Sequence, residues 1–491
     1  MRSWNMQSRG TLVNAAVLLA AGAVVSGCVS KDDIDGFVDR HFSAKAADVV
    51  QVDRDFGDIE EERVLRMITT YSSNTYFLYQ GMDAGFDYDL LHAFANDNDL
   101  ILDVVLAGPD DNPLDLLNSG AGDIIAADYP LTPEGRDHAR FTRPYNLAKQ
   151  IMVFSSTLDS IPRTLEEVSG SGLPVTVAAN SRALARLEEL NTLGYDLNIR
   201  TAGAGKDTES LLNEVSDGRA MATVTDDNRF ISAGFYLPGL AGGPEIAVTD
   251  TVAWAVRKNA PELEERLNSF LYGHFRIINE KPDRSAFLNM LRWRYFGKSP
   301  RIASYYNRDT HFADLGLKPA HARMVRAVAD TLDVDRLLLM AIIARESSFN
   351  PNSKSWAGAV GLMQIMPRFS SIDYRNLYDP EISIREGARI LKQHLNHYSY
   401  LDSLNQLSFA LGTYNVGIGH MVDARRLVMD QNKNPNEWDP VTDALQMLMQ
   451  PAYYRNARYG YIRGIETVNY VEQIRNRYRL YKRVLELSEH R

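Results

Sequence analysis

Residues 335–367 read DRLLLMAIIARESSFNPNSKSWAGAVGLMQIMP, and this pattern decides what the C-terminal part of the chain folds into. Asp335 stands just before an apolar run, where a side-chain acceptor caps a helix N-terminus. The run from Leu337 to Ala344 predicts a helix that reaches Arg345 and Glu346. Glu346 lies three residues after Ile343, four after Ile342 and seven after Leu339, spacings that put its carboxyl group on the apolar face. A carboxyl group there is desolvated, and the dipole at a helix C-terminus also disfavours its charge. Both effects hold the proton near neutral pH, the state a general acid needs. The plainer alternative is a Glu at the edge of the core whose carboxylate reaches water or pairs with Arg345. Further on, Gly358 and Gly361 remove side chains where a bulky ligand approaches the backbone. Gln364 offers amide donors and an acceptor to sugar hydroxyls or acetamido groups, and Pro367 ends the element.

Two later stretches extend the pattern: Thr413-Tyr414-Asn415-Val416-Gly417 and Glu466-Thr467-Val468-Asn469-Tyr470-Val471. Together with Glu346-Ser347 and Ser355 to Gln364, the set resembles the soluble-lytic-transglycosylase domain, whose signatures are E-S, S-x-A-G-A-x-G-L-M-Q, A-Y-N-x-G and E-T-x-x-Y-V. Only Thr413 departs, where the family has Ala. The resemblance implies a helical, lysozyme-like domain that cleaves peptidoglycan. It implies Glu346 as the single catalytic acid/base, and Ser355 and Gln364 as contacts to the sugar beside the scissile bond. Met363 would pack under the sugar rings, with core filling as the alternative. Tyr414 would bond to the Glu346 carboxyl, and Asn415 would support the same loop. Glu466 and Tyr470 would buttress the cleft; for both tyrosines the alternative is plain helix packing. Ordinary glycosidases use two carboxylates. A lytic transglycosylase needs one, because the substrate's acetamido group stabilises the cationic centre and its C6 hydroxyl closes a 1,6-anhydro ring. No metal or other cofactor is expected, and the histidines show no H-E-x-x-H spacing. One rival is a hydrolytic lysozyme using Asp373 or Glu381 as a second carboxylate. Another is a binding or scaffold lipoprotein with a degenerate catalytic module.

Upstream, from about Val64 to Tyr272, strand-like pieces alternate with helical ones. Val64 to Thr70, Ile101 to Val105, Ile124 to Ala126, Val175 to Ala178 and Ala222 to Thr225 are the strands, an order that argues for an α/β domain with mostly parallel sheets. Gly85 to Leu90, Gly122 to Ile125, Thr132-Pro133-Glu134 and Phe141 to Tyr145 resemble, in order, landmarks of the periplasmic solute-binding proteins for amino acids. In those proteins the Arg of T-x-E-R forks onto the ligand carboxylate. Here that position is Gly135, and Arg136 stands one residue later. The resemblance makes Asp87, Thr132, Arg136 and Asp226 the candidate ligand residues. Muropeptides or stem peptides are the candidate ligands, with Arg136 or Arg143 meeting a peptide carboxylate. A scaffold without a small ligand is the alternative.

The chain has 491 residues, room for about three domains. Its 45% hydrophobic and 24% charged residues exclude a mostly disordered chain, a collagen and a multi-span membrane protein. A net charge of −10 without a long basic run argues against nucleic acid as partner. Arg2 and Arg9 precede an apolar stretch, Leu12 to Val25, of signal-peptide length. It ends at Val25-Ser26-Gly27-Cys28, which holds the only cysteine and resembles a bacterial lipobox. The thiol would be acylated, anchoring a soluble body by several acyl chains, and Val29 in place of an Asp favours the outer membrane. The expected organisation is a lipoprotein signal peptide over 1–27, a tether over 28–63, a two-lobed binding-protein-like domain over 64–296, and a lysozyme-like domain over 297–491, with a hinge at 297–301. The fold class is thus multi-domain α/β plus α.

Overall fold

The computed structural model describes residues 52–489, apart from 73, 109–110, 128–132, 180, 204, 248–249, 280 and 298–313. The signal peptide, Cys28, Thr132 and the hinge beyond Gly297 lie outside the described residues. Contacts divide the chain into two units. One has Gln393–Thr467 as its described part; the other holds the rest, including Val468 onwards.

The larger unit begins with two five-stranded sheets. In the first, Val64–Thr70 lies between the parallel strands Ile101–Ala107 and Ile124–Ile125; Ala255–Val256 and Arg140–Phe141 add antiparallel pairings. In the second, Asn198–Thr201, Pro174–Val177 and Ala222–Asp226 run parallel, and Gln150–Ser155 and Leu240–Glu245 complete it antiparallel. The sheets are therefore mixed, with a parallel core, rather than mostly parallel throughout. Asn146–Ala148 and Asp250–Val252, the two stretches where the chain leaves one sheet and returns, pair with each other. That is a two-lobed module with a paired two-strand crossing.

Asp123, in the Gly122 to Ile125 landmark, is wholly buried. Its carboxylate takes Arg54 Nε at 3.0 Å, Arg257 Nη2 at 2.9 Å and the Arg66 amide at 3.0 Å. Two guanidinium groups and an amide offset the cost of burying this charge. Residues 52–63, read from the sequence as the end of the tether, belong to the module. Asp55 caps the helix Phe56–Glu62 and also accepts from the amides of Glu262 and Leu263.

A hairpin of this module, Phe77–Tyr79 and Met82–Ala84, turns at Gln80 (φ 54°) and Gly81 (φ 79°). Two successive positive φ angles make a tight turn whose twist suits a hairpin. A Cβ on Gly81 would come within 2.4 Å of the Phe349 ring, so glycine serves both the turn and the close approach. The last helix, Gly464–Glu489, crosses the division between the units, and its later part meets the same hairpin. Tyr481 Oη donates to Gly81 O at 2.7 Å, and Arg477 Nη2 to Asp83 Oδ2 at 2.5 Å. This helix, placed from the sequence in the 297–491 domain, thus packs on the α/β module. Its own apolar and aromatic residues gave no hint of which surface they would cover.

The smaller unit is helical. Ser403–Val416, Ile418–Asp430 and Trp438–Met447 pack around Phe409, whose ring meets Trp438 edge-on at 5.6 Å. Thr413, the departure from the family's Ala, is buried, and its hydroxyl lies 2.9 Å from Tyr398 Oη. The extra hydroxyl is therefore satisfied and costs little.

Candidate active site

The helix Arg336–Ser347 forms as its sequence predicts. Asp335 accepts from the amides of Leu337 at 2.7 Å and Leu338 at 3.4 Å. Every residue from Leu337 to Ala344 is buried, so the helix has no polar face over that stretch. The helix that carries Glu346 is thus buried on more than one face. Ser348 and Phe349 take left-handed conformations at φ 50° and 59°, ending the helix just past Glu346.

Glu346 is half-buried as a residue, but its carboxyl group is closely surrounded by protein. Burial raises its pKa to about 7, against the opposing effects of a hydrogen bond from Tyr470 and the charge of Arg345. Tyr470 Oη donates to Glu346 Oε1 at 2.6 Å, and Tyr470 is 2% exposed. Eight residues further along the last helix, Tyr478 Oη donates to Asp335 Oδ2 at 2.7 Å. Glu346 and Asp335 mark opposite ends of the helix Arg336–Ser347, so the two helices run antiparallel. Tyr470 was expected only to buttress the cleft; it holds the carboxyl group itself. The pair is 124 residues apart, and no local signal joins them.

The loop after Glu346 is tied back to the helix. Ser347 Oγ donates to Leu362 O at 2.9 Å and to Ile343 O at 3.1 Å, giving the Ser of the E-S motif a structural job. Gln364 sits at φ 48°, an uncommon conformation for a non-glycine residue. Its amide nitrogen donates to Ser353 O at 3.1 Å and Gly361 O at 2.9 Å. Both donors expected to meet a sugar are thus used within the loop, and the carbonyl oxygen is what remains to offer. Ser355 Oγ accepts from the Ala359 amide at 3.0 Å. Met363 is fully buried, with its amide donating to Ser383 Oγ at 3.2 Å. It packs against Gly387, where a Cβ would come within 2.5 Å of the Met363 Cβ, so the core-filling alternative describes its surroundings. Gly361 is also internal rather than ligand-facing. A Cβ there would stand 2.1 Å from Leu377 O, and its φ is +78°. Gly358 differs: open space surrounds it, and its φ is +93°.

The remaining candidates of this domain sit in the smaller unit. Tyr414 is half-buried near the end of the helix Ser403–Val416. Asn415 is exposed and accepts from Thr467 Oγ1 at 2.9 Å. Glu466 is exposed and pairs with Arg463 at 2.9 Å. The carboxylates of the hydrolytic rival are both exposed. Asp373 accepts from the Arg375 amide, and Glu381 pairs with Arg385 at 2.5 Å.

In the α/β module, Asp87 is buried and accepts from Tyr145 Oη at 2.7 Å. Asp226 pairs with Arg182 at 3.1 Å, a residue the sequence reading did not single out. Arg136 is exposed on the short helix Pro133–His138. The Arg143 guanidinium stacks 4.6 Å from the centre of the Tyr272 ring. Among the described residues no group of three or more His, Cys, Asp or Glu is arranged to hold a metal, and no helix is long and apolar enough to cross a membrane.

The Tyr470 hydroxyl favours the ionised carboxylate, so removing it raises the Glu346 pKa further. Hydrogen bonds to charged groups are worth about 1.5–3 kcal/mol, or about one pH unit or more. Tyr470→Phe is therefore expected to move the basic limb of kcat upward by about that much and to lower the plateau, since the carboxyl loses its orienting partner. A kcat–pH profile of both proteins measures this; an unmoved limb would separate Tyr470 from the acid.

Two family models match the chain: bacterial extracellular solute-binding proteins, family 3, over residues 66–275, and the transglycosylase SLT domain over residues 323–436. Fold and site thus define a lytic transglycosylase in which a binding-protein-like module precedes the SLT domain, an enzyme of the lyase type acting on peptidoglycan. The membrane-bound lytic murein transglycosylase F of Shewanella pealeana is 31% identical over 412 residues, covering 84% of this chain and 83% of that one. The proteins of the same name from Aliivibrio fischeri and Stutzerimonas stutzeri are each 31% identical, covering 86% of this chain and 83% and 85% of theirs. The chain belongs to the membrane-bound lytic murein transglycosylase F family. Among solved structures, an ancestral arginine-binding protein bound to arginine is similar at 23% identity and a TM-score of 0.40, covering 48% of this chain and 98% of that one.

Proposed function

We propose that the enzyme cleaves the β-1,4 bond between N-acetylmuramic acid and N-acetylglucosamine and leaves 1,6-anhydromuramic ends, in cell-wall turnover and remodelling. The observation that carries this reading is one buried carboxyl group, held by Tyr470 and poised near pH 7. Protonated Glu346 gives its proton to the leaving glycosidic oxygen. The muramic acetamido group stabilises the cationic C1. The ionised Glu346 then takes the C6 hydroxyl proton as that oxygen closes on C1, which regenerates the acid and consumes no water. Ser355 and the Gln364 carbonyl would meet the sugar beside the bond, and Tyr414, Asn415 and Glu466 are further candidates for substrate contact.

The α/β module is proposed to take muropeptides or stem peptides. Arg136 is exposed and offers a cation to a peptide carboxylate, with Asp87, Thr132 and Asp226 as further candidates. The proposed location is the periplasmic face of the outer membrane, through acylated Cys28. Mass spectra of digested sacculi should contain products one water lighter than hydrolysis gives; fully hydrated ends would reinstate the lysozyme rival. Adding stem peptide to the same digest should change the rate several-fold if the module is a sensor, and unchanged rates would leave it a spacer. Cys28→Ala should leave the outer-membrane fraction; full retention there would assign anchoring to a protein contact.

A further inference from the structure

The loop that Ser347 ties to the catalytic helix carries large aromatic groups into water. Trp356 is 92% exposed, Phe369 73% and Tyr374 40%. A tryptophan so exposed contributes almost no burial to folding, and exposed large apolar groups at a fixed turn suit a binding surface. The Trp356 backbone is nevertheless well fixed. It stands in a tight turn closed by Ser355 N to Ala359 O at 2.9 Å, Gly358 N to Ser355 O at 3.0 Å, and the Ala359 amide to Ser355 Oγ. A Cβ on Gly358 would meet nothing within 4 Å.

Beside this turn, Lys354 Nζ lies 5.8 Å from the centre of the Tyr374 ring, and the Tyr374 and Tyr378 hydroxyls are 2.8 Å apart. The segment from Asn352 to Tyr378 carries three cations, Lys354, Arg368 and Arg375, against one anion, Asp373, in a chain of net charge −10. An aromatic and locally basic surface suits a partner with flat apolar faces and carboxylates. A peptidoglycan strand has both, in its pyranose rings and its peptide stems. The chain links this turn to Ser347, the residue after Glu346. From Leu362, bonded to Ser347, back to Trp356 is six residues of chain, at most about 20 Å. A few sugar rings of a polymer span that length.

We propose that Trp356, with the Lys354–Tyr374 pair beside it, forms a stacking platform for sugar rings distal to the bond being cleaved, the cation meeting a stem-peptide carboxylate. Its role is to retain long strands, and it takes no part in the chemical step. The proposal rests on peptidoglycan being the substrate.

The test compares Trp356→Ala, Trp356→Tyr and Lys354→Gln with the parent full-length enzyme, on long-strand sacculi and on a soluble tetrasaccharide. Trp356→Ala should raise KM on sacculi about five- to tenfold while kcat stays within about twofold, a tenfold change being what one modest contact supplies. The tetrasaccharide KM should not move. Trp356→Tyr should restore most of the loss, and Lys354→Gln should weaken binding only where stem peptides are present. In the slowed Glu346→Gln background, Trp356→Ala should release protein from sedimented sacculi. An unchanged sacculus KM, or equal losses on long and short substrates, overturns the platform. A parent enzyme that fails to cleave sacculi overturns the substrate reading instead.

Discussion

Glu346→Gln should yield a folded enzyme slower by at least about 10²–10⁴-fold, the range general acid catalysis supplies, and more stable than its parent at pH 8. The amide keeps the shape of the side chain and can accept the Tyr470 hydroxyl, but it has no acidic proton to give. The stability gain follows from the titration. The Glu346 carboxyl ordinarily titrates near 4.5 and does so at about 7 in the folded chain. Below about pH 4.5 both states hold the proton, and the group is neutral to stability. Between the two values the unfolded chain has released its proton while the folded chain keeps it, so stability falls as pH rises. Above 7 the penalty approaches its full size, on the order of 3 kcal/mol. Gln removes it, so denaturant midpoints should separate at pH 8 and coincide near pH 4. Identical midpoints at pH 8 would mean that the carboxyl group is better solvated than its surroundings imply. Turnover like that of the parent would remove Glu346 from the mechanism. The two readouts together describe an acid kept ready at a cost in stability.

What the sequence disclosed follows from the range of the interactions. The strand Val64–Thr70 and the Asp335 cap rest on patterns within a few residues, and both formed. The motif loop reads as a ligand surface through Gly358, Gly361 and Gln364, with core filling as the alternative for Met363. Yet Gly361 is glycine because Leu377 O occupies the space, and Met363 is buried against Gly387. Residues that shape a site from beneath carry the same motif letters as residues that touch substrate. Pairings across long stretches left no local trace. Tyr470 with Glu346, Asp123 with Arg54 and Arg257, and Asp83 with Arg477 each join residues that no period or spacing connects. Arg182 opposite Asp226 was missed for the same reason: an Arg at a helix start reads as a surface residue until its partner is known.

Arg477→Met should cost about 3–5 kcal/mol at neutral pH, the penalty for stranding a buried charge by removing its partner. Asp83 accepts from Tyr76 Oη at 2.6 Å and Tyr88 Oη at 3.4 Å, and both tyrosines remain in the variant, but the counter-charge is lost. Burial pushes the Asp83 carboxyl upward; Arg477 and these hydrogen bonds outweigh it and hold the pKa below the ordinary carboxylate value. A depressed folded pKa gives stability that is present above the ordinary value and lost as pH falls through the folded one. The gap between parent and variant in urea should therefore be widest near pH 7 and shrink below about pH 4. Replacing both partners, with Asp83→Leu beside Arg477→Met, should recover much of the loss, because no charge is then left buried. A gap that stays constant with pH would assign the cost to packing of the Arg477 stem alone. The effect should also reach the acid. Arg477 lies seven residues, about two turns, beyond Tyr470 on one helix, and Tyr478 ties that helix to the cap of the helix bearing Glu346. A last helix loosened at Arg477 should hold Tyr470 less firmly. The basic limb of kcat should then shift upward, in the direction of Tyr470→Phe and by a smaller amount. A destabilised enzyme with an unshifted limb would confine Arg477 to folding.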